Sequence, residues 1–164
     1  MPMIDLTVPK GALTPEHTDR LIRELSRIII EWEGAEELPM YPYATRMYVH
    51  EVEGVAVASQ LHDPEKRPYY RVIVSVPEGT LSQGRKTGVI KDMTAAILHA
   101  EGEELDPRHL ERVWVIINDV PTGHWGSGGQ PRGVRELIDL FGLDPQSDRY
   151  KELMAEEPLR VGRS

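Results

Sequence analysis

The sequence predicts an α/β fold: a two-layer sandwich in which two repeated β-α-β units form a four-stranded mixed sheet with two helices on one face. The first observation behind this prediction is an internal repeat, since residues 8–14 recur as residues 76–82, and Gly11 returns as Gly79, 68 positions later. The second is hydrophobic patterning, because each copy has the pattern of strand, helix and strand. A crossover helix makes the two strands of each unit parallel. Two such units supply the four strands and two helices.

In the first unit, residues 3–8 alternate and contain β-branched side chains, which predicts a short strand. Thr14 offers an N-cap oxygen to a helix with apolar residues at three- and four-residue spacing, and Gly34 is the expected end of that helix. A second strand is expected over residues 45–52. The short apolar run 55–58 after it predicts one arm of a hairpin.

The second unit repeats this order. Residues 71–76 predict a strand, Ser82 is an N-cap, and residues 83–100 predict a helix. Residues 113–117 are a nearly continuous apolar run, typical of a strand covered on both faces, and residues 122–129 form a glycine-rich loop. The side chains of the helix that are expected to point inward are Val89, Ile90, Met93, Ala96 and Ile97.

These elements set the expected limits of the domain. A chain of 164 residues suits one domain, which we expect over residues 2–143. The expected segments are one repeat at 2–60, a polar link at 62–68, a second repeat at 69–130, a short helix at 132–141 and an extension at 144–164. The extension is polar and predicts only a helical turn near residues 150–154, followed by a fraying tail.

Composition excludes several classes of function. The formal net charge is −8, from 19 Lys and Arg against 27 Asp and Glu, so a nucleic-acid partner is not expected. The sequence contains no cysteine, which excludes disulfides and thiolate chemistry. No run approaches the roughly 20 apolar residues of a membrane span, and we expect a soluble, cytoplasmic protein without a membrane partner. The six histidines lack the spacing of a zinc site, so neither a metal nor a cofactor is expected.

Three features together carry a resemblance to a known family. They are the duplicated unit, Pro2 directly behind Met1, and the loop from Thr122 to Gly129, Thr-Gly-His-Trp-Gly-Ser-Gly-Gly. Over roughly residues 2–130 the chain resembles the tautomerase superfamily, whose member 4-oxalocrotonate tautomerase has a similar glycine-rich loop after its last strand. The resemblance implies that Pro2, once Met1 is removed, is a catalytic secondary amine. It also implies a homotrimer, as for other fused double units, and two apolar sheet faces agree with oligomerisation.

The family's other site residues carry over unevenly. Trp125 stands at the position of an active-site aromatic residue that lowers the local dielectric and so moves the amine pKa toward neutrality. The family's first carboxylate-binding arginine falls on Ala12 in one half and on Thr80 in the other. Its second arginine falls on Arg46 and on Trp114. Arg46 is therefore the one matched cation, and Thr80, Trp114 and Trp125 are expected at substrate-binding positions.

The specialised branches of the family fit less well. The catalytic glutamate of the cis-3-chloroacrylic acid dehalogenase branch falls on His124, which is still able to move a proton, but the paired arginines of that branch fall on Pro77 and Thr80. We therefore expect a keto-enol tautomerase that acts on a small 2-oxo acid or dienol, with Pro2, Arg46 and His124 as catalytic residues. The alternatives are a hydratase, dehalogenase or decarboxylase of the same superfamily, and a catalytically silent trimeric binding or assembly protein.

Overall fold

The computed structural model describes residues 1–62, 67–102 and 106–161, so most of the predicted link and the last residues of the extension lie outside the described part. The strands are β1 (Met3–Pro9), β2 (Arg46–Val52), β3 (Ala56–Val57), β4 (Gln60–Leu61), β5 (Tyr70–Pro77), β6 (Val113–Val120), β7 (Gly126–Ser127) and β8 (Gln130–Pro131). The helices are α1 (Pro15–Glu33), α2 (Tyr41–Ala44), α3 (Gln83–Ala100), α4 (Pro107–Leu110), α5 (Val134–Phe141) and α6 (Asp148–Val161).

The predicted mixed sheet is confirmed. Its strand order is β2-β1-β5-β6, with each unit contributing one parallel pair and with β1 antiparallel to β5 at the centre. Ile4 lies opposite Val74 in this central pairing. The two units are therefore related by an approximate twofold axis, and the start of β1 and the start of β5 lie at equivalent positions.

Local sequence signals set the ends of the two long helices. The Thr14 hydroxyl accepts a hydrogen bond from the His17 amide at 3.2 Å, and Ser82 caps α3 in the same way. Gly34 ends α1 with a φ of 64°, a left-handed conformation that glycine adopts without the clash that a Cβ would cause. Both predicted N-caps and the predicted end of α1 agree with the structure.

The core lies between one face of the sheet and the helices α1 and α3. Alternate residues of β1 and β5 point into it, because successive side chains of a strand lie on opposite faces. These fully or nearly fully buried residues are Ile4, Leu6, Val8, Val72, Val74 and Val76. The prediction for Ile90 is wrong: it is 40% exposed, because it follows the buried Val89 by about 100° around the helix and so turns away from the sheet.

The opposite face of the sheet is mixed rather than uniformly apolar. Trp114 is 65% and Ile116 is 44% exposed, so β6 is not covered on both faces within one chain, and the expectation that oligomerisation covers its outer face stays a prediction. Polar groups share this face, since Asp5 and His50 lie within 2.7 Å of each other. An apolar run identifies a strand but does not show what covers its outer side.

Each unit also carries a small hairpin after its second strand. In the second unit β7 and β8 are joined by Gly128 and Gly129, both with positive φ, as a tight two-residue turn requires. In the first unit the same turn is made by Ala58 and Ser59, with φ values of 51° and 64°. The non-glycine turn is strained, since side-chain-bearing residues in the left-handed region crowd the following carbonyl group.

The extension is more ordered than its composition predicts. The helix α6 runs over 14 residues rather than one turn, and Leu153 packs with Val134 and Ile138 of α5 in a second, smaller apolar cluster. The predicted short helix before it is present as α5. Two helices therefore follow the last hairpin and pack on each other.

Candidate active site

Three of the predicted site residues line one open cleft at the start of β1. Pro2, Arg46 and Trp125 all border it, and its volume is about 490 Å³, enough for a small organic acid. Parallel pairing brings the first two together: Met3 lies opposite Arg46, and the Arg46 amide donates to the Pro2 carbonyl oxygen at 3.1 Å. Trp125 arrives from the hairpin of the other unit.

The Arg46 guanidinium is exposed at the cleft. It donates to the backbone carbonyl oxygens of Tyr43 and Thr45, which orient it without neutralising its charge. Within the part of the chain that the structure describes, it makes no ion pair with a carboxylate. An exposed cation held by carbonyl groups is suited to binding a carboxylate or polarised oxo group.

An apolar wall faces this cation. It consists of Met40 and Tyr43 around α2 and Leu140 and Phe141 at the end of α5. Met40, Tyr43 and Leu140 are exposed, and a cluster of exposed apolar side chains beside a concave site is typical of a surface that binds a ligand or another protein. None of these wall residues follows from the sequence prediction.

A buried chain of hydrogen bonds leads from the amino terminus into the protein. The Met1 ammonium donates to the Tyr41 hydroxyl at 2.8 Å, and this hydroxyl donates to Glu33 Oε2 at 2.7 Å. Glu33 is only 4% exposed, and its Oε1 has no hydrogen-bond partner. Burial lowers the pKa of the Met1 amino group, and the Glu33 carboxylate acts in the opposite direction. Burial and the neighbouring Glu33 raise the pKa of Tyr41 well above its ordinary value, so its hydroxyl stays protonated.

Residues of the C-terminal helices α5 and α6 contact the residues that form this series of hydrogen bonds. Arg149 of α6 donates to the backbone carbonyl of Glu33 at 2.7 Å and also to that of Thr80. Phe141 packs edge-to-face on Tyr41, with ring centroids 4.8 Å apart. The segment after the repeats therefore fixes the end of α1 and the Tyr41 ring.

Two other predicted residues lie away from Pro2 within one chain. His124 is on the exposed outer side of the loop, although its neighbour Trp125 faces the cleft. Thr80 is buried behind the cleft, where its hydroxyl donates to the Pro77 carbonyl at 2.9 Å. The structure of one chain thus joins Pro2, Arg46 and Trp125 but neither His124 nor Thr80.

Trp114 belongs to a second cleft at the equivalent position of the other unit. This cleft lies at the start of β5, with Tyr70 and Arg71 in place of the residues at the start of β1, and the β3–β4 hairpin borders it. Tyr70 is buried and donates to Glu101 at 2.8 Å. Its backbone nitrogen is part of a peptide bond, so this cleft has no amine at the position of Pro2.

The described residues contain neither a group of metal ligands nor a helix able to span a membrane. Across 1–62, 67–102 and 106–161, no three His, Asp or Glu side chains are close enough to hold a metal ion. Over the same ranges, no helix combines the length and apolarity needed to cross a bilayer.

The residues missed by sequence analysis come mostly from the segment between α1 and β2. Glu33 is the last residue of α1, and Met40, Tyr41 and Tyr43 follow it, where two prolines interrupt any helical period. The available signal was the cluster of tyrosines just before Arg46. Aromatic residues immediately preceding a matched site cation are candidates for the wall of the same site.

Comparison with known proteins agrees with this architecture. Residues 71–135 match the family described as Tautomerase enzyme. A fused 4-OT that forms an asymmetric trimer is similar in fold, with a TM-score of 0.65, 20% identity, and coverage of 82% of this chain and 98% of its own. N1, of the cis-3-chloroacrylic acid dehalogenase family, gives a TM-score of 0.66 at 13% identity over 92% of this chain and 97% of its own.

A more distant relative shares the same fold. The macrophage migration inhibitory factor of Toxoplasma gondii gives a TM-score of 0.57 at 12% identity, covering 79% of this chain and 99% of its own. No curated protein matches the sequence at a significant level. At these identities the solved structures establish the fold, and the family match rests on the second unit.

Proposed function

We propose that this chain is a fused two-unit member of the tautomerase superfamily, and that it is a keto-enol tautomerase that acts on a small 2-oxo acid or its dienol. Pro2 is the general base once Met1 has been removed. The observation that carries the proposal is the meeting of Pro2, Arg46 and Trp125 at one cleft. A secondary amine, a cation and an aromatic wall are the groups that enol chemistry on an acid requires.

The reaction moves one proton and leaves the enzyme unchanged. The Pro2 nitrogen takes the proton of the enol hydroxyl and becomes a prolinium ion, and it then delivers a proton to the substrate carbon as the carbonyl forms. Arg46 binds the carboxylate or the oxygen on which negative charge develops, which stabilises the enolate. Trp125 excludes water and so favours the neutral amine at the start of the cycle.

A monocarboxylate is the preferred class of substrate. The family's other arginine position is occupied by Ala12 and Thr80, and Thr80 is buried. Lys10 pairs with Glu53 at 2.9 Å and Arg71 borders the second cleft, so neither supplies a second cation to Pro2 within the chain. A second carboxylate on the substrate therefore adds little to the binding free energy within one chain.

The test begins with the mass of the N-terminal peptide, followed by labelling with 3-bromopropiolate. We expect Met1 to be absent, the label to be on Pro2, and labelling to abolish turnover of phenylenolpyruvate. Pro2→Ala, which keeps a primary amine, should lose on the order of 10²-fold in rate. Pro145→Ala, at an exposed loop position, is the control. Full activity in Pro2→Ala, or labelling elsewhere, contradicts the role of Pro2.

We also infer that the chain forms a homotrimer. The similar fused 4-OT structures are described as trimers, and the sheet face opposite the helices exposes Tyr48, Trp114 and Ile116. A second chain that covers this face would remove these side chains from water. Native mass measurement should give three chains per particle. A stable monomer at micromolar concentration would require that face to remain exposed.

The second candidate is hydration, dehalogenation or decarboxylation by a protonated Pro2. The observation that favours it is the buried Glu33 carboxylate, which is linked through the Tyr41 hydroxyl to the Met1 amine, since an anion stabilises an ammonium ion. Product analysis separates the candidates: release of halide or carbon dioxide, or addition of water, without tautomerisation of an enol supports the second. A chain that retains Met1 and turns over none of these substrates would support the silent binding protein.

A further inference from the structure

The hydrogen bonds of Tyr41 and Glu33 end at the Met1 amine, one residue before the Pro2 nitrogen on which the proposed reaction depends. The direction of each bond is fixed, because the Tyr41 hydroxyl donates its only hydrogen to Glu33 Oε2 and therefore accepts from the amine. Glu33 is buried and its Oε1 is unpartnered, so this carboxylate is not satisfied by the fold alone. A buried carboxylate oxygen that lacks a hydrogen-bond donor needs an explanation. Electrostatic stabilisation of a nearby cation is one such explanation.

Few charged or titratable groups surround the amine. Among the described residues, α1 supplies Glu33, α2 supplies Tyr41 and Tyr43, β2 supplies Arg46, and α6 supplies Arg149. The parts of α5 and of the β7–β8 hairpin that border the cleft are uncharged. Arg149 is partly neutralised by Glu152, at 2.8 Å. Glu33 is therefore the acidic group that is linked to the Met1 amine, through the Tyr41 hydroxyl.

We propose that Glu33, acting through the Tyr41 hydroxyl, positions the processed amino terminus and stabilises its protonated form. This inference rests on the proposed function, because it assigns to Pro2 the amine that the pair holds. Removal of Met1 shortens the chain by one residue, and the proposal requires the Tyr41 hydroxyl to reach the new terminus directly or through one water. The pair touches neither substrate nor reacting carbon.

The Tyr41–Glu33 pair lowers the free energy of the protonated amine during the proton transfer. Burial and the aromatic wall favour a neutral amine, which suits a base but makes the prolinium ion costly once the proton has been taken. The Glu33 carboxylate offsets that cost in a site where Coulomb interactions are stronger than in water. Glu33 thus keeps the amine basic enough to carry a proton between the oxygen and the carbon of the substrate.

The test is an NMR titration of the N-terminal nitrogen in chains labelled with ¹⁵N-proline. Glu33→Gln keeps the shape and hydrogen-bonding capacity of the side chain and removes the charge, so the pKa of the amine should fall by about one unit or more. Tyr41→Phe should lower it as well, by breaking the link. Glu36→Gln removes the charge of an exposed acid three residues away and should leave the pKa of the amine unchanged. The acid limb of the pH-rate profile should move to lower pH with the amine.

The outcomes separate this inference from the proposed function. A pKa in Glu33→Gln equal to that in Glu36→Gln, or higher, overturns the inference even if Pro2 is required for tautomerisation. A fall in the pKa without any tautomerase activity supports the pair and contradicts the proposed function. If Glu33→Gln does not fold, as judged by circular dichroism, Tyr41→Phe decides the question. If Met1 is retained, the same titration is made on its ¹⁵N-labelled amine.

Discussion

The contact between α1 and α3 depends on a glycine, and replacing it tests how the two units are joined. Gly88 of α3 lies against the indole ring of Trp32, and a Cβ added at this position would overlap the ring carbons. The ring is not free to move, because Trp32 Nε1 donates to Asp92 Oδ2 at 2.9 Å. We expect Gly88→Ala to be destabilising, although alanine is the better helix former.

The magnitude follows from two opposing effects. Alanine in place of a helical glycine stabilises by roughly 0.5–1 kcal/mol. Overpacking against a large side chain costs about 1–3 kcal/mol, and loss of the Trp32–Asp92 hydrogen bond adds about 1 kcal/mol. The net expectation is a loss of roughly 1–3 kcal/mol in the free energy of unfolding. Because Trp32 directly precedes Glu33, the variant should also disturb the support of the amino terminus.

The assay is urea unfolding of Gly88→Ala and Gly84→Ala at one protein concentration, since oligomers unfold in a concentration-dependent manner. Gly84 lies in the same helix with nothing within 4 Å of an added Cβ, so its replacement should be neutral or stabilising by up to about 1 kcal/mol. Equal stability of the two variants would refute the close approach of α1 and α3 at Trp32.

Three further predictions concern charge, the hairpin and the anion site. Arg112 and Glu101 form a buried ion pair at 2.7 Å, so Arg112→Met should lower the free energy of unfolding by about 3–5 kcal/mol. The double variant with Glu101→Leu should recover only part of this, because the buried Tyr70 hydroxyl then loses its acceptor. Replacing Ala58 by Asn and Ser59 by Gly should stabilise by roughly 1 kcal/mol per residue in thermal unfolding, by relieving left-handed strain. Arg46→Ala should lower kcat/KM about tenfold to a hundredfold for phenylenolpyruvate and 2-hydroxymuconate alike. Unchanged values for both substrates would make Arg46 a surface charge.

Much of the fold was predictable because its signals are local. Thr14, Ser82 and Gly34 act on backbone groups within one helical turn, and the sequence alone identifies them. The repeat then supplies the long-range part, since two copies of one unit must form equivalent strand pairs. Ile90 and Trp114 show the limit: an apolar residue at the edge of a helical stripe or on the outer face of a strand has the same identity whether it is buried or exposed.

The candidate site was predictable where strand register determines it, and at Trp125 from the resemblance of its loop. Parallel pairing of β1 and β2 brings Arg46 beside Pro2, and this follows from the predicted topology. The bond between Arg149 and Glu33 joins residues 116 positions apart, and no periodicity or motif signals such a contact. His124 and Trp125 differ for another reason: His124 closes a turn in which its amide donates to the Pro121 carbonyl oxygen, and the order of the two residues does not reveal which of them faces the cleft.

The twofold relation between the units has a consequence for how this protein is able to change. Substitutions can reshape the cleft at Tyr70 freely, but none can give it a terminal amine, because that nitrogen lies in the middle of a continuous chain. Two units joined in one chain share a single amino terminus, and only cutting the chain before β5 would place an amine at the second cleft. Substitutions are therefore able to change the second cleft, or to give it a different ligand, without altering the residues at the first.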